Sequence, residues 1–291
     1  MMKRFLYLLL FLPLYTFSQP QSIRQQVIKI ASGIKAQVGV SAMIVETGDT
    51  VNYRAGDKFP MQSVYKLPIA IAVLHQVELG RLSLNQQVKV SPTEIIPVGV
   101  SPIRDRYAHG VTLSILELLR YNVSDSDGSA CDVLIRILGG CQKINQYIHS
   151  VGIRDIAIST TEMVQVSDDW VQYRNWVKPE AMLLLLKKFY AGQLLNRSHN
   201  ELLLNLMIKS GPGAKRLKGM LPAQAVVAHK PGSSGTHYGL TRTTNDVGII
   251  TLPNNKHLLI AVFIADTYAD TEEREGVIAQ IAKAAWDNWG K

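Results

Sequence analysis

Cysteine is almost absent: the 291 residues carry only Cys131 and Cys141, so a disulfide-stapled scaffold is excluded. On an unbroken helix the two would stand about 15 Å apart, beyond disulfide reach. Gly139-Gly140 interrupts that helix, so pairing stays open, with two buried free thiols the simpler outcome. Neither cysteine has the companions a metal ion needs, and neither metal nor cofactor is expected. Basic runs are scarce as well. No Lys/Arg run exceeds two residues and no stripe interleaves them with aromatics, so the net charge of +8 does not read as a nucleic-acid surface. It suits a protein near an anionic cell wall, or one handling carboxylate substrates. Internal repeats, low-complexity linkers and, beyond the first residues, apolar stretches long enough to span a membrane are also missing.

What is present starts with Met1-Met2-Lys3-Arg4 and an apolar run from Phe5 to Phe17, closing on Thr16-Phe17-Ser18. A charged start, a short apolar middle and small residues at the cleavage positions read as a secretory signal peptide over residues 1–18. The run is short for a membrane span and contains Pro13. The mature chain is expected to start near Gln19, soluble, and secreted or periplasmic. With 47% hydrophobic and 19% charged residues, it has enough apolar material for a full globular core.

Periodicity organises the rest. Ser22 to Ile34 has helical spacing. Gln37 to Val45, a Gly48-Asp49 turn and a run to Tyr53 make a hairpin. Ser63–Leu79, Thr112–Asn122, Ser129–Leu138, Lys143–Val151 and Pro179–Ala191 read as helices. Ala225–Lys230, Val247–Leu252 and Leu258–Asp266 read as a meander of strands, and Thr271–Trp289 as a closing helix capped by Asp270. The expected fold is α+β in three layers: a five-stranded antiparallel sheet between N- and C-terminal helices, with an all-helical domain inserted. The sheet domain would take residues 19–60 and 206–291, and the helical domain 61–205, with a cleft at their seam.

Chemistry concentrates at Ser63-Val64-Tyr65-Lys66. Residues three apart on a helix share a face, and a lysine amine beside a serine hydroxyl turns an unactivated alcohol into a nucleophile. Three further landmarks follow in order: Ser126-Asp127-Gly128 at a helix start, Glu162 in a polar loop, and Lys230-Pro231-Gly232 on a β-run. Ser126 also suits a helix N-cap.

This order is that of S-x-x-K, S-D-N and K-T-G in penicillin-recognising serine enzymes. The chain resembles a class A serine β-lactamase over essentially the whole mature sequence. Val226-Val227-Ala228-His229-Lys230, the Ser126 to Asp132 stretch and Asp168-Asp169 look closest to the extended-spectrum branch that includes the PER and VEB types. The resemblance implies a β-lactam substrate and the following roles. Ser63 attacks the lactam carbonyl, with Lys66 or a water held by Glu162 taking its proton. Ser126 relays a proton to the leaving nitrogen beside Lys230. Backbone N–H groups of Ser63 and Ser233 form the oxyanion hole, Glu162 activates the deacylating water, and Gly232, Lys230 and Arg216 line the place of the substrate carboxylate. Arg216 would substitute for an arginine that other members keep at the strand position of Val247. A monomer is expected.

Three departures mark the motifs. Gly128 replaces the Asn of the second, removing an amide that contacts substrate. Pro231 replaces the Thr or Ser of the third, removing a hydroxyl that Ser233, Ser234 or Thr236 would have to supply; proline itself is tolerated on an edge strand. Around Glu162 the usual Arg and Pro are missing and Val166 stands where Asn or His helps hold the water, leaving Gln165 or a carbonyl to do so. Acylation should therefore be better preserved than deacylation. Two other functions use the same residues: a D-Ala-D-Ala carboxypeptidase or transpeptidase, which needs no Glu162, and a slowly turning over β-lactam-binding module.

Overall fold

A computed structural model describes residues 22–291; the signal peptide and the start near Gln19 lie outside them. In chain order the elements are α1 (Ile23–Ser32), β1 (Gln37–Ile44), β2 (Thr50–Tyr53), β3 (Phe59–Pro60), α2 (Lys66–Glu78), β4 (Gln87–Val90), α3 (Pro102–Arg106), β5 (Val111–Ser114), α4 (Ile115–Val123), α5 (Gly128–Ile137) and α6 (Cys141–Ser150). They continue with β6 (Ile156–Ala157), α7 (Glu162–Gln165), β7 (Trp176–Val177), α8 (Pro179–Tyr190), α9 (Arg197–Ile208), β8 (Val227–Ser233), β9 (Thr236–His237), β10 (Leu240–Thr251), β11 (His257–Thr267) and α10 (Thr271–Trp289).

Five strands run β2-β1-β11-β10-β8 across the main sheet, all antiparallel, and the two-residue β9 adds to β10. Side chains alternate along a strand, and β11 uses both faces. Leu258, Ile260, Val262 and Ile264 pack under α1 and α10 with Val277, Ile278, Ile281 and Ala285, whereas Leu259, Ala261, Phe263 and Ala265 join the core shared with the helices. At Gly39 a β-carbon would sit 2.3 Å from the Phe59 ring, so glycine there lets Phe59 lie flat against β1. The terminal helices start as their sequences dictate: Ser22 and Gln25 form a capping box, and the Asp270 carboxylate accepts from Glu273 N.

Between β3 and β8 the chain is mainly helical but forms two short ladders, β4 with β5, and β6 with β7, which in turn pairs with β3. The helix expected from Thr112 starts at Ile115. Val111 to Ser114 pair with Gln87 to Val90, and Ser114 and Glu117 form a capping box that sets the start. Helix α9, capped by Asn196, is a further helix that the periodicity reading does not include. Strand β10 begins seven residues before the Val247 expected for it, because its first half buries Thr241, Thr243, Thr244, Asn245 and Asp246 rather than apolar side chains. Both cysteines are free; Cys131 is buried, and Cys141 is only half-buried rather than fully so.

Candidate active site

Ser63 lies in a single 3-10 turn, Gln62–Tyr65, that leads directly into α2. Gln62 takes φ of 45°, a left-handed value rare for a side-chain-bearing residue and frequent where a backbone is held in place for function. The turn puts Lys66 one step along: its Nζ donates to Ser63 Oγ at 3.1 Å and to the carbonyl oxygen of Ser126 at 2.7 Å. The same ammonium pairs with Glu162 Oε1 at 3.0 Å. Lys66 is buried and Glu162 nearly so. Burial pushes the Lys66 pKa down, but the Glu162 carboxylate and the Cys131 and Asp127 groups more than offset it, and the net shift is upward.

The second lysine behaves oppositely. Lys230, on β8, donates to Ser126 Oγ at 2.9 Å and to Pro231 O at 3.1 Å. Its pKa falls well below the ordinary value, first through burial and then through the charge of Lys66. The mutual repulsion of the two ammonium groups therefore shows on Lys230, the one without a carboxylate in contact. Ser126 takes φ of 60° and is not the cap of α5; Asp127 is, its carboxylate accepting from Ala130 N at 2.8 Å. That leaves the Ser126 hydroxyl to Lys230.

Gly232 approaches the turn of Ser63 so closely that a β-carbon would lie 2.5 Å from Met61 O and 3.2 Å from Ser63 N. Glycine is required there by space. Pro231 sits in β8, the edge strand, as its missing N–H allows. Arg216 is only 7% exposed and offers no free fork to the crevice. It pairs with Glu275 at 3.1 Å and donates to Gly232 O at 3.0 Å, Asn245 O at 2.9 Å and Ser233 Oγ at 2.6 Å. Ser233 is exposed, and Arg216 lies buried beside it. Val247 pairs with Lys230 and is wholly buried, so it is not the strand neighbour of Ser233. That neighbour is Thr244, whose hydroxyl accepts from Arg274 Nε at 3.0 Å. Of the other hydroxyls considered, Ser234 donates to Gly235 O, and Thr236 is paired with Thr241.

The loop carrying Glu162 is held by residues the sequence did not single out for this role. Asp132, on α5, accepts from Glu162 N at 2.7 Å and Met163 N at 2.8 Å. Burial and the neighbouring Glu162 charge raise its pKa to about 7, against those two backbone bonds and Lys66. The base of the loop is closed by a neutral amide, Asn175, which accepts from Ser159 N and Thr160 N and donates to Thr160 O. Gln172 bridges Gln62 and Thr243, and Arg242 bonds Asp169 and stacks on Trp170. Gln165 is buried, with no partner for either amide atom among the described residues. Beside it Val166 and Ile96 pack around Gly99, and Ile96 Cδ1 fills the space over Gly128. Among the described residues no cluster of three or more His, Cys, Asp or Glu is placed to hold a metal ion.

An alcohol, two ammonium groups and a carboxylate sharing one buried crevice, on a sheet-and-helix frame, define a serine hydrolase. Residues 21–289 match the model of the beta-lactamase enzyme family. The chain belongs to that family, in class A, near its PER and VEB types. It is 37% identical to Beta-lactamase VEB-1 of Pseudomonas aeruginosa, over 98% of this chain and 97% of that protein. To the extended-spectrum beta-lactamase PER-1 of the same organism it is 40% identical, over 93% and 88%. Among solved structures, a beta-lactamase from Chitinophaga pinensis is 48% identical with a TM-score of 0.89, over 91% of this chain and 98% of that one.

Proposed function

We propose that this chain is an exported serine β-lactamase that opens the lactam amide through an ester on Ser63 and hydrolyses that ester with a water activated by Glu162. The observation that carries the assignment is the contact of one ammonium, Lys66, with both Ser63 Oγ and Glu162 Oε1. Ser63 Oγ attacks the carbonyl carbon and its proton passes toward Glu162. Lys66 passes a proton across the ion pair to Glu162 and so frees the lone pair that takes the proton of Ser63. Without the carboxylate charge that holds its pKa up, the buried amine can still take that proton, so the ester also forms in Glu162→Gln. As the C–N bond breaks, Ser126 Oγ gives its proton to the leaving nitrogen, and the weakened ammonium of Lys230 replaces it. Ser234 N donates across the ladder to Thr243 O, so by strand alternation the Ser233 N–H points outward. There it and Ser63 N–H would receive the oxyanion, each such donor being worth on the order of 3 kcal/mol.

Water then attacks the ester, with Glu162 as general base. With Val166 unable to help hold that water, the buried Gln165 amide, unpartnered among the described residues, or a backbone carbonyl takes that share. The substrate carboxylate would be met by Lys230, Gly232 and the Ser233 hydroxyl, which accepts from Arg216 and keeps its own proton to donate. In this assignment the crevice is the seam between a sheet unit, 19–60 with 206–291, and a helical unit, 61–205. The protein acts as a periplasmic or secreted monomer on a small β-lactam, without nucleic acid or membrane attachment. Among the described residues no helix is long and apolar enough to cross a membrane.

A carboxypeptidase of the same fold would need Ser63, Lys66, Ser126 and Lys230 but not a carboxylate 3.0 Å from Lys66, so the hydrolase is favoured. Hydrolysis of a chromogenic cephalosporin, reduced to background by Ser63→Ala, is the expected result. Turnover surviving in that variant would refute the assignment.

A further inference from the structure

Asn245 is fully buried in β10 and takes part in none of the steps above. Its amide nitrogen donates to Pro60 O at 2.8 Å and Met61 O at 3.1 Å, and its amide oxygen accepts from Ile264 N at 3.2 Å. Its own carbonyl oxygen accepts from Arg216, and its strand partner on β8 is Gly232. Pro60 and Met61 are the residues just before the left-handed Gln62 and Ser63. One side chain therefore ties the segment that delivers the nucleophile to the sheet, at the point where Gly232 approaches Met61 O and Ser63 N.

We propose that Asn245 is a positioning residue that sets the spacing of the two oxyanion donors, Ser63 N–H and Ser233 N–H. The proposal rests on the acyl-enzyme reading above. The two donors belong to different elements, a 3-10 turn and an edge strand, and oxyanion stabilisation requires both about 3 Å from one oxygen. Nothing covalent near the site links those elements. The bonds from Asn245 to Pro60 and Met61 are the side-chain link made from the main sheet itself; the other ties on this segment, the pairing of Phe59 and Pro60 with β7, Met61 N to Asn175 O and Gln62 to Gln172, come from residues 172–177. A carbonyl pair held by one amide is also a register device: it cannot slide by a residue without leaving a buried polar group unpaired, which is costly.

The test uses the full-length mature protein with Glu162→Gln added to trap the ester. The infrared carbonyl band of the Ser63 ester of a cephalosporin reports how strongly the oxyanion donors polarise it. Asn245→Ala should move that band to higher wavenumber and slow acylation by about 10-fold or more. Asn245→Asp keeps the size and the acceptor for Ile264 N but turns an oxygen toward two carbonyls. It should show the same upward band shift and slower acylation, and it serves if the alanine variant fails to fold. Folded variants with the parent's band and acylation rate would show that Asn245 only satisfies buried carbonyls, and would overturn the proposal alone. A parent that forms no ester on Ser63 would overturn the functional reading and this proposal with it.

Discussion

Ile96 Cδ1 stands 2.4 Å from the point where a β-carbon on Gly128 would lie. The departure from asparagine in the second motif is therefore a filled space, and the filling group is apolar. Restoring the amide alone should fail. Gly128→Asn is expected to lose about 1–3 kcal/mol through overpacking, read as a lower denaturation midpoint. Adding Ile96→Ala should recover most of that loss, a coupling a double-mutant cycle measures directly. Additive effects would mean that the two positions do not compete for space.

Asp132 predicts a pH dependence. Its folded pKa of about 7 lies above the ordinary value of 3.8, with burial as the leading cause. Between those values the native state holds a proton the unfolded chain has released, so this group's contribution is complete at low pH and lost as pH rises toward 7. The slope is at most about 1.4 kcal/mol per pH unit for one proton. Asp132→Asn removes this titration, and its unfolding free energy should fall less steeply than the parent's from pH 4 to 7. Parallel curves would show that Asp132 is ionised throughout.

Arg216 gives a prediction about geometry rather than charge. Its planar fork serves Glu275, Gly232 O, Asn245 O and Ser233 Oγ together, which a single ammonium cannot do. Arg216→Lys should cost at least ~2 kcal/mol of stability, since several charge-assisted bonds are lost. It should also lower kcat/KM by about 10-fold, because Ser233 loses its support. Urea titration and steady-state rates check both, and an unchanged lysine variant would mean that only the positive charge counts.

The contrast among these residues shows what the chain discloses before folding. Ser63 and Lys66 are legible because their contact is local, one helical step, and Ser126, Glu162 and Lys230 because of their order along the chain. Asp132, Asn175 and Asn245 are single polar residues whose partners are fixed only by tertiary structure; Asn245 reaches Pro60 across 185 positions, and no spacing rule spans that. Arg216 is legible in its loop, but its commitment to Glu275, Gly232 O, Asn245 O and Ser233 Oγ is not, since a sequence shows which segment carries a guanidinium and not what that guanidinium meets. The early half of β10 escaped for a related reason: Thr243, Thr244, Asn245 and Asp246 look like a loop, yet each is buried with a partner. Helix α9 was readable from Asn196 as a cap and Leu203, Leu206 and Met207 on one face.

With Val166 following Gln165 in the Glu162 turn and the Lys66–Ser63 contact intact, the proposed mechanism predicts that ester hydrolysis is the slow step. The decisive measurement is the intact mass of the protein, quenched at intervals after mixing with one equivalent of a penicillin. The parent should gain the mass of the drug on Ser63 within the first turnover and then lose it slowly, while Glu162→Gln should gain it and keep it. An adduct that decays equally fast in both would contradict the role of Glu162, and the absence of any adduct would contradict the account as a whole.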